Sequence, residues 1–231
     1  SIYKIGSGDF TAYPIIEGIA KLKKPIILST GLSSHQEVLD TVDFIQNLDP
    51  IYSDKDYLAV LQCTSMYPIP FSDAHLSTMD AFRIDTELTI GYSDHTEGMY
   101  ALEISVAMGA EILEFHFTDS RENKEFRDHK VSLTKDEVLE LIQKIQQIQA
   151  LQGNPIKRSV PIEIESGHVT TFRRAVYLAK DMKAGEVIKE EDLIFLRPNY
   201  GIDVREYTSV IGKTLKADIK AQEKITKDLL A

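Results

Sequence analysis

The chain has 231 residues, 43% hydrophobic and 27% charged, with a formal net charge of −10. That length supports one large domain, or a medium domain with a small companion. The acidic balance argues against general nucleic-acid or anionic-membrane binding, although a few local cations still suffice for one small phosphate.

The only cysteine is Cys63, so no intrachain disulfide can form, and a reducing cytoplasm is the simplest compartment. No run approaches the ~20 apolar residues of a membrane span, and no signal peptide is visible. The chain opens on Ser1-Ile-Tyr-Lys4, already strand-like and without an initiator methionine, so further sequence is expected in front of it.

Residues 2–7 form the first predicted strand, followed by Gly8-Asp9. Lys4 is a cation inside that apolar strand. It either snorkels to solvent or serves as an anion-binding ammonium beside the Ser7 hydroxyl. A helix over residues 10–22 follows. The second strand begins at Pro25 and ends on Ser29-Thr30-Gly31, ahead of a helix starting at Ser33-Ser34. A serine-rich strand end before a helix N-terminus suits a phosphate, and serine is also an ordinary N-cap.

The third strand, 58–64, leads into Ser65-Met-Tyr-Pro-Ile-Pro70, a proline-stiffened loop that presents Tyr67. Cys63 reads as a buried small hydrophobe rather than a nucleophile. A helix near 76–82 precedes the fourth strand, 88–95. A small-residue helix over 99–108 ends at Gly109, and the fifth strand spans 110–118. Five βα units at ~25–30-residue spacing have the rhythm of a (β/α)₈ barrel or a doubly wound sheet.

The fourth and fifth strands each end near a histidine, His95 and His116. Parallel strands present functional groups at their carboxyl ends, so two imidazoles there could hold a divalent metal. The charged run 119–130 reads as a solvated loop or an active-site loop. Thr134-Lys-Asp-Glu137 is a capping box with Leu133 and Val138 as its hydrophobic staple. That helix ends at Gly153-Asn-Pro155.

Residues 154–171 read as an extended connector. Beyond it, Asp181-Met-Lys-Ala-Gly-Glu-Val-Ile188 echoes Asp218-Ile-Lys-Ala-Gln-Glu-Lys-Ile225, the repeat of a small, pseudo-symmetric β-rich domain. Arg197 sits on a loop between the copies, ahead of Pro198.

Five motifs occur in order: Tyr3-Lys-Ile-Gly-Ser-Gly8, Ile27-Leu-Ser-Thr-Gly31, Cys63-Thr-Ser-Met-Tyr-Pro68, Ile90-Gly-Tyr-Ser-Asp-His95 and Leu113-Glu-Phe-His-Phe-Thr118. Together they resemble the sialic acid synthase family. The tail, with Lys183-Ala-Gly-Glu186 and Leu196-Arg-Pro198, resembles that family's C-terminal antifreeze-like (SAF, β-clip) domain. The resemblance implies the last five βα units of a TIM barrel over 1–153, a linker over 154–171 and the antifreeze-like domain over 172–231. It implies condensation of phosphoenolpyruvate with an N-acylated hexosamine, releasing phosphate, in a domain-swapped homodimer.

By the same resemblance, Lys4, Ser7, Ser29 and Ser93 fall on phosphoenolpyruvate-binding positions. His95 and His116 fall on the ligands of Mn²⁺ or Mg²⁺. Tyr67 and Asp128 contact the sugar, as does Ser65, which stands where some bacterial members carry Asn. Asp9, where the family commonly carries Glu, joins the two histidines in the implied catalytic set. Arg197 reaches into the partner's site. Phe115 departs from the Arg usual before the second histidine, which bears on the acceptor sugar. Another metal-dependent barrel enzyme, and a non-catalytic carbohydrate-binding scaffold, are the alternatives.

Overall fold

A computed structural model describes all 231 residues and divides them into two compact units, Ser1–Gly153 and Asn154–Ala231. The first unit runs β1 (Tyr3–Ile5), α1 (Tyr13–Ala20), β2 (Ile26–Ser29), α2 (His35–Leu48), β3 (Leu58–Cys63), α3 (Thr78–Thr86), β4 (Thr89–Ser93), α4 (Tyr100–Ala107), β5 (Ile112–Glu114), a single turn α5 (Asp128–Val131) and α6 (Lys135–Gln152). The five strands pair in sequence order, every pair parallel.

Local chemistry sets the helix starts. Ser34 caps α2 and Thr134 caps α6, each with a glutamate three residues on returning the bond. Leu133 is buried and Val138 packs against the same core, completing the staple expected at α6. The fifth strand is shorter than its apolar run. After Glu114 the chain leaves β4, and the backbone of His116 and Thr118 bonds Leu133 instead. Likewise α1 starts three residues later than expected, because Ser7–Asp9 forms a tight 3₁₀ turn.

Side chains alternate across a sheet with period two. One set, including Ile5, Ile26, Leu28, Leu58, Val60, Ile90 and Tyr92, enters the hydrophobic core under the helices. The alternate set holds Lys4, Ser29, Cys63, Ser93 and Glu114 together with apolar Ile27, Ala59, Leu61 and Ile112, and the parity carries on to His95 and His116. The helix-packed core and these polar residues therefore occupy opposite faces of one sheet.

That sheet is curled. Lys4 on β1 and Glu114 on β5 form an ion pair at 3.1 Å, although these strands are its two edges. Four strand spacings in a flat sheet amount to ~19 Å, and a lysine and a glutamate together reach only ~10 Å. The strands form a half-barrel whose concave face carries the polar set.

The second unit opens with two short helices, α7 (Pro161–Glu165) and α8 (His168–Thr171), where an extended connector is expected. Pro161 begins the first of them, and α8 is tied to its own unit by the Asn199 N–H donating to the Thr170 carbonyl at 2.9 Å. Beyond lie antiparallel β6 (Ala175–Leu178) and β7 (Leu193–Leu196) and a core that includes Val176, Leu178, Ile188 and Ile225.

The internal repeat is expressed as near-perfect reciprocity. Met182 and Ile219 exchange both backbone hydrogen bonds, each at 2.9 Å. Asp218 accepts from the Ala184 N–H and Asp181 from the Ala221 N–H, also at 2.9 Å each. The copies differ at one strained point. Gly185 has φ 88°, and its counterpart Gln222 holds φ 62°, where a Cβ is disfavoured. Replacing Gln222 with Gly should stabilise this unit by about 0.5–1 kcal/mol, and Gly185→Gln should destabilise it by about 1 kcal/mol. Urea unfolding of both variants reads the two signs. Shifts in the same direction would refute the equivalence of the two turns.

Candidate active site

One cleft of about 370 Å³ lies at the carboxyl ends of the strands on the concave face. It is lined by Lys4, Ser7, Ser29, Ser65, Tyr67, Ser93, His95 and His116, so eight of the residues singled out in the sequence converge there. Asp128 stands beside it, its Oδ2 3.8 Å from His116 Nδ1. Asp9 does not line the cleft; it is exposed on the turn after β1. Arg197 belongs to the second unit, where it lines a separate cleft with Arg173, Arg174 and Arg205.

Glu114 lines the cleft and has no role assigned from the sequence. Its signal was present: it is two residues before His116 in an otherwise apolar strand, which puts both on one face. Glu114 Oε1 pairs with Lys4 Nζ, and Oε2 accepts from the Ser29 hydroxyl at 3.0 Å. Burial pushes its carboxyl up, but contacts with Ser93, Lys4 and Ser29 outweigh burial and hold it below the usual range. Lys4 is therefore neither a solvent-seeking side chain nor a free cation. It is the positive member of an ion pair inside the cleft, and Nζ also donates to the Ile5 carbonyl.

Ser7 follows β1 and accepts from the Gly31 N–H at 3.0 Å, which joins the loops after β1 and β2. A Cβ on Gly31 would overlap the Ser7 and Ser65 hydroxyls, so glycine is required there for steric reasons.

His95 is buried just beyond β4. Asp94 holds this bend by accepting from the Tyr92 hydroxyl at 3.0 Å and from the Thr96 N–H at 2.9 Å. His95 Nδ1 lies 2.7 Å from the Thr64 carbonyl. A carbonyl only accepts, so Nδ1 carries a hydrogen and Nε2 is the nitrogen left to a ligand; burial pushes this imidazole down, but its contacts with Cys63, Thr64 and Asp94 outweigh burial and hold it above the usual histidine range. Burial pushes the His116 imidazole down, as does His95, leaving it neutral and able to ligate.

The two ring centres are 5.4 Å apart. An ion bound at ~2.1 Å to one nitrogen of each ring places the centres at most ~6.5 Å apart. The pair fits one divalent cation. No third His, Cys, Asp or Glu joins them to make a larger ligand group, so the remaining ligands would be water or substrate oxygens. Tyr67 packs against both rings, and Arg127 lies over the Tyr67 ring at 4.8 Å. Asp128 Oδ1 is buried without a hydrogen-bond partner, 3.5 Å from Arg127 Nε.

Residues 1–157 match the NeuB family and residues 173–231 the SAF domain. The chain belongs to the NeuB family. This NeuB chain is 35% identical over 97% of its length to the N,N'-diacetyllegionaminic acid synthase of Campylobacter jejuni, of which it covers 65%. It spans about 60–65% of the length of such curated relatives. The crystal structure of the sialic acid synthetase of Leptospira borgpetersenii superposes on 73% of the chain, with TM-score 0.65 and 30% identity, over 56% of that structure. That of a spore coat polysaccharide biosynthesis protein E of Chromobacterium violaceum covers the whole chain, with TM-score 0.80 and 25% identity, over 68% of that structure.

Glu114 places a negative charge in the cleft beside the positive charge of Lys4, so it opposes an anion there. Glu114→Gln should tighten inorganic phosphate binding by about tenfold, as expected for removing one like charge at ~8 Å in a partly screened site. Isothermal titration measures this, and an unchanged affinity would show that phosphate does not approach the Lys4–Glu114 pair.

Proposed function

We propose that this chain carries the phosphoenolpyruvate- and metal-binding part of a nonulosonic acid synthase. The reaction joins C3 of phosphoenolpyruvate to the aldehyde carbon of an open-chain N-acylated hexosamine, adds water at C2 and releases phosphate. The convergence of Lys4, Ser7, Ser29 and Ser93 with His95 and His116 in one cleft is the observation that carries this reading. The C. jejuni and L. borgpetersenii relatives, a legionaminic and a sialic acid synthase, support the same class of product.

His95 and His116 would hold Mn²⁺ or Mg²⁺, which when bound supplies Lewis acidity toward the sugar aldehyde. The chain's own residues do the rest. The Lys4 ammonium and the serine hydroxyls donate to phosphate and carboxylate oxygens, balancing charge that must leave with the phosphate. Glu114 fixes Lys4 and Ser29 before substrate arrives. We assign it to relay the proton lost by the water that adds at C2, a proton matched by the one gained at the former aldehyde oxygen. Asp128 Oδ1 takes a sugar hydroxyl, and Tyr67 shields both imidazoles from water. No nucleophilic side chain is required, because the enol carbon is the nucleophile. Cys63 remains reduced in the cytoplasm, the compartment we assign.

The native polypeptide should release phosphate only when both substrates are present. Excess chelator should abolish release, and Mn²⁺ or Mg²⁺ should restore it. In the same assay Lys4→Ala should lower kcat/KM by about 2–4 kcal/mol of transition-state stabilisation, the scale of one lost electrostatic donor. Full activity in chelator, or a loss under about threefold for Lys4→Ala, would sink these assignments.

Arg197 is proposed to complete the acceptor site of a second copy. The charge distribution supports such docking. The first unit holds 12 Lys and Arg against 24 Asp and Glu, and the second 14 against 12, giving net charges of −12 and +2. In a swapped dimer, mixing Arg197→Ala with His116→Ala protein concentrates both defects in one site and leaves the other intact. Activity should recover above that of either variant alone. No recovery, with mixed dimers verified by mass, would count against a role in trans.

A further inference from the structure

The second unit gathers four arginines at one place. β6 and β7 pair antiparallel, with Ala175 opposite Leu196. Extended by one residue, that register sets Arg174 opposite Arg197, with Arg173 next in the chain. A bridge between Ala175 and Asp203 brings the turn that holds Arg205 against the start of β6. These three segments enclose a cleft of about 360 Å³, lined by Arg173, Arg174, Arg197, Asp203, Val204 and Arg205.

Like charges directly opposite each other on neighbouring strands are destabilising, and little inside the unit offsets them here. Asp203 is the only acid in the lining. Its acceptor positions are all taken. Oδ1 accepts from the Arg205 backbone N–H at 3.0 Å and from Arg205 Nε at 2.8 Å, and Oδ2 accepts from Arg205 Nη2 at 3.0 Å and Asn199 Nδ2 at 2.9 Å. The Asp203 charge is therefore committed to Arg205. Three guanidiniums stay uncompensated, in a chain whose net charge is −10. Two of the four arginines are held in place with donors to spare. Arg174 Nη1 donates to the Phe195 carbonyl at 2.6 Å, and Arg205 is fixed by Asp203. A guanidinium carries five N–H donors, so most of those on Arg174 and Arg205 remain available. Arg173 and Arg197 are exposed and form no ion pair within the chain.

We infer that this cleft binds a phosphate dianion through Arg173, Arg174 and Arg205. Phosphate matches the cleft in charge and in shape. Two charges on one small group offset more of the excess than a single carboxylate does. Its oxygens also accept paired N–H donors from more than one guanidinium. Arg174 and Arg205 supply donors that are oriented before the ligand arrives, which limits the entropy lost on binding. Arg173, with no internal partner, closes on the exposed side, and Arg197 contributes charge to the same cleft. No lysine lines it, so recognition rests on planar forks rather than point charges. The assignment concerns the second unit alone and does not depend on the synthase reading.

Phosphate can also enter the cleft that holds Lys4, so the test must resolve the two places. Inorganic phosphate is titrated into the full ¹⁵N-labelled chain at constant ionic strength, and backbone amide shifts are followed. The amides of Arg174, Ala175, Val204 and Arg205 should shift along one saturating curve, and should do so equally in Lys4→Ala. Arg173→Gln should weaken this curve by about threefold to tenfold, the effect of one charged donor in an exposed setting. Arg174→Lys keeps the charge and removes the fork, and should weaken it by about threefold or more. Acetate should bind at least about tenfold more weakly than phosphate. Glycerol phosphate separates the two sources of the group: tighter binding than inorganic phosphate assigns the site to a phosphate ester, and equal or weaker binding assigns it to the free ion. Thermal melting identifies a variant that fails to fold, and Arg173→Gln, which removes no internal bond, then decides. The inference is overturned by any of four results: no shift at these amides, a curve unchanged by Arg173→Gln, full affinity in folded Arg174→Lys, or acetate binding as tightly as phosphate.

Discussion

The ion pair between Lys4 and Glu114 closes a chord across an otherwise open sheet. β1 and β5 share no backbone hydrogen bond, and each has an unpaired outer edge within this chain. The pair demands strong curvature, and that curvature turns the ends of five separate strands toward one point. Ser29, from the second strand, joins by donating to the same carboxylate. An anion that drew Lys4 away from Glu114 would also loosen the link between the two edges. Partly buried pairs of this kind are held by geometry as much as by Coulomb attraction.

Much of this architecture was legible from the residues alone. The βα rhythm, the two capping boxes and the repeat in the tail each rest on short-range chemistry that one sequence displays. The convergence of the two histidines followed from the rule that parallel strands expose function at their carboxyl ends, and that of Lys4, Ser7, Ser29 and Ser93 from the family resemblance. Strand lengths were harder, because an apolar run shows where a strand could pair and not where its neighbour stops. Residues 115–118 stay apolar in part, yet their backbone bonds Leu133. Glu114 was missed because a strand buried on one face by helices and lined on the other by a cleft reads as one continuous run. Only parity separates the two faces. The helices of the connector were hidden for a different reason: turns of four and five residues have no period long enough to detect.

The site also shows how a buried imidazole is prepared. Asp94 is a buried member of the cleft lining, just past the end of β4, and burial pushes its carboxyl up against the hydrogen bonds of Thr96 and Tyr92. Its work is to fix the bend that sends the next residue inward. The Thr64 carbonyl then selects the tautomer of His95. Contacts from neighbouring strands thus set the direction of one ring and the hydrogen on its Nδ1, so that Nε2 is the nitrogen left to a ligand.

The reciprocal pairing in the second unit bears on how that unit acquires its structure. Met182 and Ile219 are 37 positions apart, and neither turn is completed within its own copy, since each aspartate caps the opposite one. Neither copy can stand as an autonomous folding nucleus. The intervening chain, which includes β7, must be gathered before either end gains its partner. The loop-closure entropy is spent before the contacts that offset it exist, which places this small unit among slow, high-contact-order topologies despite its size. A ribosome must release Ile219 before Met182 can be secured, so the antifreeze-like module matures only after the second copy of its repeat has been made.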